Sequence, residues 1–133
     1  MSETPDENTL VTAVDALADR FRAMPQSRLL GAVPGHPSRA AAGLALARRL
    51  AAAAQAAEAA RADGGDGGGT AHELPDAGAF AVGDQLAVVG HDLAAALAAL
   101  PGGAAVALPD GPATADVVRA HALRWLAETT AAV

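Results

Sequence analysis

Several residue types are missing from this chain, and each absence excludes a class of protein. There is no cysteine, so the sequence predicts neither a disulfide framework nor a thiolate zinc site. Lysine, isoleucine and tyrosine are also absent, and the aromatic residues are Phe21, Phe80 and Trp125. With so few large side chains, we expect a core in which each residue contributes little burial energy.

Charge and hydropathy exclude two further classes. The basic residues are all arginine, they are scattered apart from the Arg48-Arg49 pair, and the formal net charge is −6. Because phosphate binding needs clustered cations, this balance argues against a nucleic-acid partner. The most apolar run, residues 93–108, is shorter than a membrane span of about 18 residues and is interrupted by Pro101-Gly102-Gly103. We therefore predict no membrane segment.

Length and composition predict the class of fold. A chain of 133 residues is typical of one domain, so we predict a single domain over residues 1–133 with a disordered tail at residues 1–7. Alanine is the commonest residue and the strongest helix former, which favours an all-α fold. The first residues, MSETPDEN, are acidic and polar, which predicts no secretory signal peptide and a cytoplasmic protein.

The most informative stretch is residues 80–100, where two stripes share helical spacing. The large apolar stripe contains Val82, Leu86, Val89, Leu93, Leu97 and Leu100. The small-residue stripe contains Gly83, Ala87, Gly90 and Ala94. Glycine inside a helix costs about 0.5–1 kcal/mol relative to alanine, so we predict that another backbone comes close to Gly83 and Gly90. That neighbour would be the alanine-rich second helix or the same helix of another chain. A helix with both stripes should be central and bury nearly all of its circumference.

Three other segments also have helical signals. Apolar residues at heptad spacing predict a helix over residues 8–24, capped by Asn8 and ended by Pro25. These apolar residues are Leu10, Val14, Leu17, Phe21 and Met24. Ser38 would cap a second helix over residues 38–62, whose alanine-rich second half has a weak packing face and would project or fray. Thr114 would cap a last helix over residues 113–128, with residues 129–133 frayed.

The segments between these helices predict turns and loops. Residues 25–37 read as a loop with Leu29, Leu30 and Val33 against the core. The glycine-rich residues 63–72 predict a flexible loop that tolerates deletion; they lack the Gly-Lys-Ser/Thr of a phosphate loop. Around Asp110-Gly111 either a very short hairpin or an extended loop is possible, and we favour the loop. With the third helix at residues 79–100, the whole predicts a four-helix bundle-like domain.

Few residues could carry chemistry, and no catalytic motif is complete. Asp84 and His91 share a face of the third helix, and His121 lies four residues before Trp125 on the last helix. If these helices pack antiparallel, the three side chains could approach one another as a metal site. An isolated histidine is more often hydrogen-bonded or partly exposed. We therefore predict no catalytic residue, no cofactor and no metal, and keep Asp84, His91 and His121 as alternative metal ligands.

The segment AFAVGDQLAVVGHDLAAAL, residues 79–97, resembles a stretch of small uncharacterised actinobacterial proteins. The bias towards arginine and alanine is also typical of a high-GC bacterial genome. The resemblance implies no activity. The metal-binding DinB-like bundles share the predicted architecture, but their spaced histidines are absent from this sequence, and fold analogy alone does not assign a function.

Two hypotheses of function follow from the sequence. The first is a non-enzymatic helical module for protein interaction or oligomerisation, most simply a homodimer. Its interface would contain Gly83, Ala87, Gly90, Ala94 and Trp125. The alternative is a small-ligand or metal-binding helical bundle that uses Asp84, His91 and His121 around a pocket beside Trp125.

Overall fold

The computed structural model describes residues 7–62 and 73–133. In chain order, the elements are α1 (Glu7–Ala23), α2 (Gln26–Leu29), α3 (Arg39–Arg61), a 3₁₀ turn (Ala79–Ala81), α4 (Val82–Ala98), β1 (Ala105–Leu108), β2 (Gly111–Thr114) and α5 (Ala115–Ala132). The prediction of a mainly helical fold is confirmed. The predicted tail and glycine-rich loop, apart from Glu7, lie outside the described residues.

Helix α4 is the central element of the fold. It packs most extensively against α3 and α1, whereas α5 makes smaller contacts with all three. The predicted apolar stripe is confirmed over most of its length, because Leu86, Leu93 and Leu97 are fully buried. The prediction that α4 buries nearly its whole circumference is wrong: Val88 is 60% exposed. Asp84, His91, Asp92 and Ala95 are exposed as well, since α5 covers little of this helix.

The small-residue stripe of α4 packs against α1. A Cβ at Gly83 would lie 2.9 Å from the backbone oxygen of Ala18, and a Cβ at Gly90 would overlap the methyl groups of Val14. The close neighbour is therefore neither the second long helix nor another chain, as the sequence suggested, but the first helix of the same chain. Its predicted heptad residues, Leu10, Val14, Leu17, Phe21 and Met24, are all buried.

The helix starts are partly as predicted. Ser38 accepts a hydrogen bond from the backbone N–H of Ala41 at 3.0 Å, and Thr114 accepts one from Val117 at 3.3 Å. Both predicted N-caps are confirmed. Asn8 lies inside α1, which begins at Glu7, so it is not the cap.

Three predictions about loops and weak segments are wrong. Residues 26–29 form the short helix α2, which buries Leu29 but leaves Leu30 54% exposed. The second half of α3 packs rather than frays, since Ala53 and Ala57 are buried. Because these side chains are small, the end of α3 lies beside residues 92–96 of α4, and the two segments line one cleft. The favoured loop at residues 104–113 is instead a hairpin.

The hairpin consists of β1 and β2 in antiparallel register, from Ala105 opposite Thr114 to Leu108 opposite Gly111. Gly111 has a φ of 133°, which favours glycine at the end of this tight turn. Val106 is fully buried, and β1 packs on α3. The buried valine and the packing of β1 on α3 stabilise a hairpin that the weak sequence alternation did not decide.

Helix α5 continues to Ala132, although the sequence predicted fraying after Glu128. Three arginines from other parts of the chain bind its last carbonyl groups. Arg20 donates to the oxygen of Thr130 at 3.1 Å. Arg39 and Arg28 donate to the oxygen of Val133 at 3.2 and 3.4 Å. Cations at a helix C-terminus satisfy free carbonyls and the helix dipole, so this end is ordered.

Candidate functional site

Asp84 and His91 both bind residues of α1. Arg22 donates to Asp84 at 2.8 Å, and His91 Nε2 lies 2.7 Å from Asp15 Oδ1. Arg22 also donates to Asp19. The hydrogen bond to Asp84 is the larger cause and that to Asp19 the smaller, and both raise the pKa of the Arg22 guanidinium above its ordinary value. Both pairs lie at the edge of the α1–α4 contact and are partly exposed. They connect the two helices, so Asp84 and His91 are each already bonded to a residue of α1.

His121 lies in a different part of the fold from these two residues. Its ring stacks on Trp125, with the ring centroids 6.1 Å apart and the planes at 16°. Among residues 7–62 and 73–133, no three histidine, cysteine or acidic side chains are grouped in a way that could hold a metal ion. The structure therefore does not bring Asp84, His91 and His121 together.

The predicted interface residues are largely enclosed by the chain itself. Gly83, Gly90 and Ala94 are buried, and Ala87 is partly buried against the core. Trp125 is only 8% exposed. A partner could reach the small-residue stripe only if α1 moved away from it.

Two adjoining clefts, of about 210 and 240 Å³, lie beside Trp125. We call them together the Trp125 cleft. Its walls come from α3, the hairpin turn and α5: Arg49, Ala52, Ala53, Leu108, Pro109, Asp110, Gly111, Pro112, Ala113, His121, Arg124 and Trp125. The hairpin, which the sequence did not predict, forms one wall of this site.

Two polar groups of the Trp125 cleft lack partners. The guanidinium carbon of Arg49 lies 4.2 Å from the centroid of the indole ring, as in a cation–π pair. Within the described part of the chain, no carboxylate forms an ion pair with Arg49. The indole Nε1 of Trp125 is buried and has no hydrogen-bond acceptor there either. A buried donor usually has an acceptor, so the indole Nε1 is the unusual group, whereas Arg49 is exposed and its free N–H groups are solvated.

Another cleft, of about 420 Å³, lies between α2, the start of α3 and the 3₁₀ turn. Its lining is mainly apolar: Leu30, Ala40, Ala41, Leu44, Ala45, Gly78, Ala79 and Val82, with Ser38, Arg48 and Asp76 as the polar members. Phe80 follows Ala79 in the chain and is 69% exposed. We call Leu30, Phe80 and this cleft the Phe80 patch.

Sequence reasoning identified Trp125 and His121 but missed Arg49. The Arg48-Arg49 pair was visible, yet nothing in the sequence indicated that one of the two lies on the indole of a helix much later in the chain. Arg48 points to other partners, since it donates to the oxygen of Leu74 at 2.9 Å and lies 3.7 Å from Glu73.

Comparisons with protein-family models, curated proteins and solved structures found no match to this chain. Of the helices in the described ranges, none combines the length and apolar character needed to cross a membrane. Any function must therefore be argued from the two surfaces described above.

Proposed function

We propose that this protein is a non-enzymatic helical module that associates with a second copy of itself through the Phe80 patch. In this proposal the long helices form a bundle-like scaffold that presents the patch. The observation that carries it is the exposure of two large apolar side chains, Phe80 at 69% and Leu30 at 54%, of which Leu30 lines the cleft and Phe80 follows a lining residue in the chain. A chain with two phenylalanines leaves one in solvent next to an apolar cleft, and such patches are typical of interaction sites.

The shape of the patch favours a second copy over an unrelated partner. A two-fold interface uses the same surface on both subunits, so it needs a protruding group and a recess side by side. Phe80 supplies the protruding group. The neighbouring cleft, about 420 Å³ and with Leu44 and Val82 among its lining residues, supplies the recess. In a dimer each Phe80 ring would enter the cleft of the other subunit and bury its aromatic surface.

Light scattering coupled to size exclusion, over a wide range of concentrations, tests this proposal. We expect a dimer for the unmodified chain and a monomer for Phe80→Glu, because burying a carboxylate in an apolar recess is costly. Val117→Glu is the matched control: Val117 is 43% exposed on α5 and does not line this cleft. We expect this variant to remain a dimer.

Two results would refute the proposal. One is a strictly monomeric chain at the highest concentration. The other is equal weakening of the dimer by Phe80→Glu and Val117→Glu, which would show a general effect of added charge. Circular dichroism of each variant confirms that the helices remain folded.

A further inference from the structure

We propose that the Trp125 cleft is a binding site for a small organic carboxylate. The Trp125 cleft and the Phe80 patch have no lining residue in common. The two proposals therefore rest on different observations and can fail independently.

Arg49 is the residue that would bind the carboxylate. Its guanidinium carbon lies over the face of the Trp125 indole, 4.2 Å from the ring centroid. A guanidinium stacked on an aromatic ring keeps its N–H groups free at the edge, where they match the two oxygens of a carboxylate. Since no described carboxylate pairs with Arg49, these donors are available in a chain whose net charge is −6.

The other residues that line the cleft determine which class of anion it would bind. Ala52, Ala53, Leu108, Pro109 and Pro112 give an apolar lining that suits a hydrocarbon body. Asp110 also lines the cleft and repels anions, a dianion more strongly than a monoanion. These features favour a carboxylate monoanion with an apolar tail over a phosphate.

His121 and Arg124 add positive or hydrogen-bonding groups on the α5 side of the cleft. His121 stacks on Trp125, and Arg124 lies 4.0 Å from Glu128, so its charge is partly offset. The buried indole Nε1 of Trp125 is a further donor without an acceptor. Arg49 therefore remains the main anion-binding group, and the α5 residues shape the cleft around it.

The fluorescence of Trp125 is a direct probe, because the chain contains one tryptophan and no tyrosine. Hexanoate is the test ligand, and hexan-1-ol and inorganic phosphate are the comparison ligands. We expect a saturable change with hexanoate. The affinity for hexan-1-ol should be weaker by about tenfold or more, since the alcohol cannot form a charge-assisted hydrogen bond. Phosphate should also bind more weakly than hexanoate, because it has no hydrocarbon body for the apolar lining to bury.

Arg49→Gln should weaken hexanoate binding by about tenfold or more, and Arg49→Lys should recover part of that loss because it keeps the charge. Arg61→Gln, an exposed change on the same helix and outside the cleft, is the control and should bind hexanoate normally. Arg49 contacts the indole, so affinities rather than signal amplitudes are compared, and calorimetry repeats the titrations without the fluorophore.

Three outcomes would overturn the proposal. These are no saturable response to hexanoate, equal affinity for hexanoate and hexan-1-ol, or unchanged affinity in Arg49→Gln. Tighter binding of phosphate than of hexanoate would also overturn it, because it would replace the carboxylate with a different class of ligand. Thermal melts of each variant show whether the cleft is still folded. If Arg49→Gln is destabilised, the smaller loss of affinity expected for Arg49→Lys is measured instead, and an unchanged affinity in Arg49→Lys then overturns the proposal.

Discussion

At the α1–α4 contact, a single methyl group added to Gly90 would overlap Val14, whereas beside Trp125 clefts of about 210 and 240 Å³ remain open. The first region contains two long helices that approach closely along small residues and are joined by hydrogen-bonded polar pairs at the edge. The second lies between α3, α5 and the turn of a hairpin with four-residue strands, beside the one tryptophan of the chain. Close packing at the α1–α4 contact leaves no space for a ligand. Space remains beside Trp125, so the candidate site lies there.

The α1–α4 contact also differs from the far end of α5 in what stabilises it. The α1–α4 contact rests on buried leucine and valine side chains, and its polar pairs, Asp15 with His91 and Arg22 with Asp84, are partly exposed. Exposed pairs of this kind are screened by water and contribute little, so packing dominates there. The far end of α5 relies instead on arginine side chains that bind its carbonyl groups.

The largest expected effect is at the tight contact. Gly90→Ala removes a glycine penalty of about 0.5–1 kcal/mol, but the added methyl overlaps Val14 and overpacking costs about 1–3 kcal/mol. We expect a net loss of unfolding free energy, greater for Gly90→Leu. Ala95→Leu, on the exposed side of α4, is the control and should be mild. Urea unfolding measures all three. A rise in stability for Gly90→Ala would mean that α1 and α4 are not closely packed.

An intermediate effect is expected at the end of α5. Arg39→Ala removes the hydrogen bond to Val133 and one to the backbone oxygen of Arg28, and should cost roughly 1 kcal/mol. Amide hydrogen exchange should increase in the last turn of α5 and stay unchanged in α4. Arg61→Ala, which removes an exposed arginine of the same helix, serves for comparison. If the last turn of α5 exchanges at the same rate in both variants, the arginines do not order it.

The smallest effect is expected at the open cleft. Ala52 is partly buried and lines the cleft, so Ala52→Leu adds a larger side chain than the one that Gly90→Ala adds. The new side chain has space, so we expect a change within about 0.5 kcal/mol, as for surface substitutions. Thermal melting of Ala52→Leu and of Gly90→Ala compares the two losses of stability directly. A loss at Ala52 as large as that at Gly90 would show that the cleft closes in solution.

Much of the helical part of the fold could be predicted from the sequence. Leu10, Val14 and Leu17 repeat at heptad spacing, and Leu86 and Leu93 at two-turn spacing, so their burial follows from helix geometry alone. The caps at Ser38 and Thr114 are local and were also predictable. The hairpin and the last turn of α5 were not, because Val106 and the arginines act through contacts with distant segments.

The candidate sites were less predictable than the fold. Phe80 belonged to the most informative segment, yet its exposure depends on how α2 and the start of α3 are placed relative to the 3₁₀ turn. Arg49 had no signal of its own, since the pairing of a cation with an indole requires two helices to be placed first. The stripe of Gly83 and Gly90 indicated a close neighbour correctly, but its identity required the packing order of the helices.

The sequence by itself determined the helical class, the position of the central helix and the faces that are buried, because these depend on residues a few positions apart. Only the tertiary structure decided that α1 fills the small-residue stripe, that a hairpin covers Trp125, and that Arg49 lies on its ring. Each of these depends on segments far apart in the chain, and many alternative packings satisfy the same local pattern. The apolar periodicity of a helix specifies which face is covered, but it does not specify which neighbour covers it.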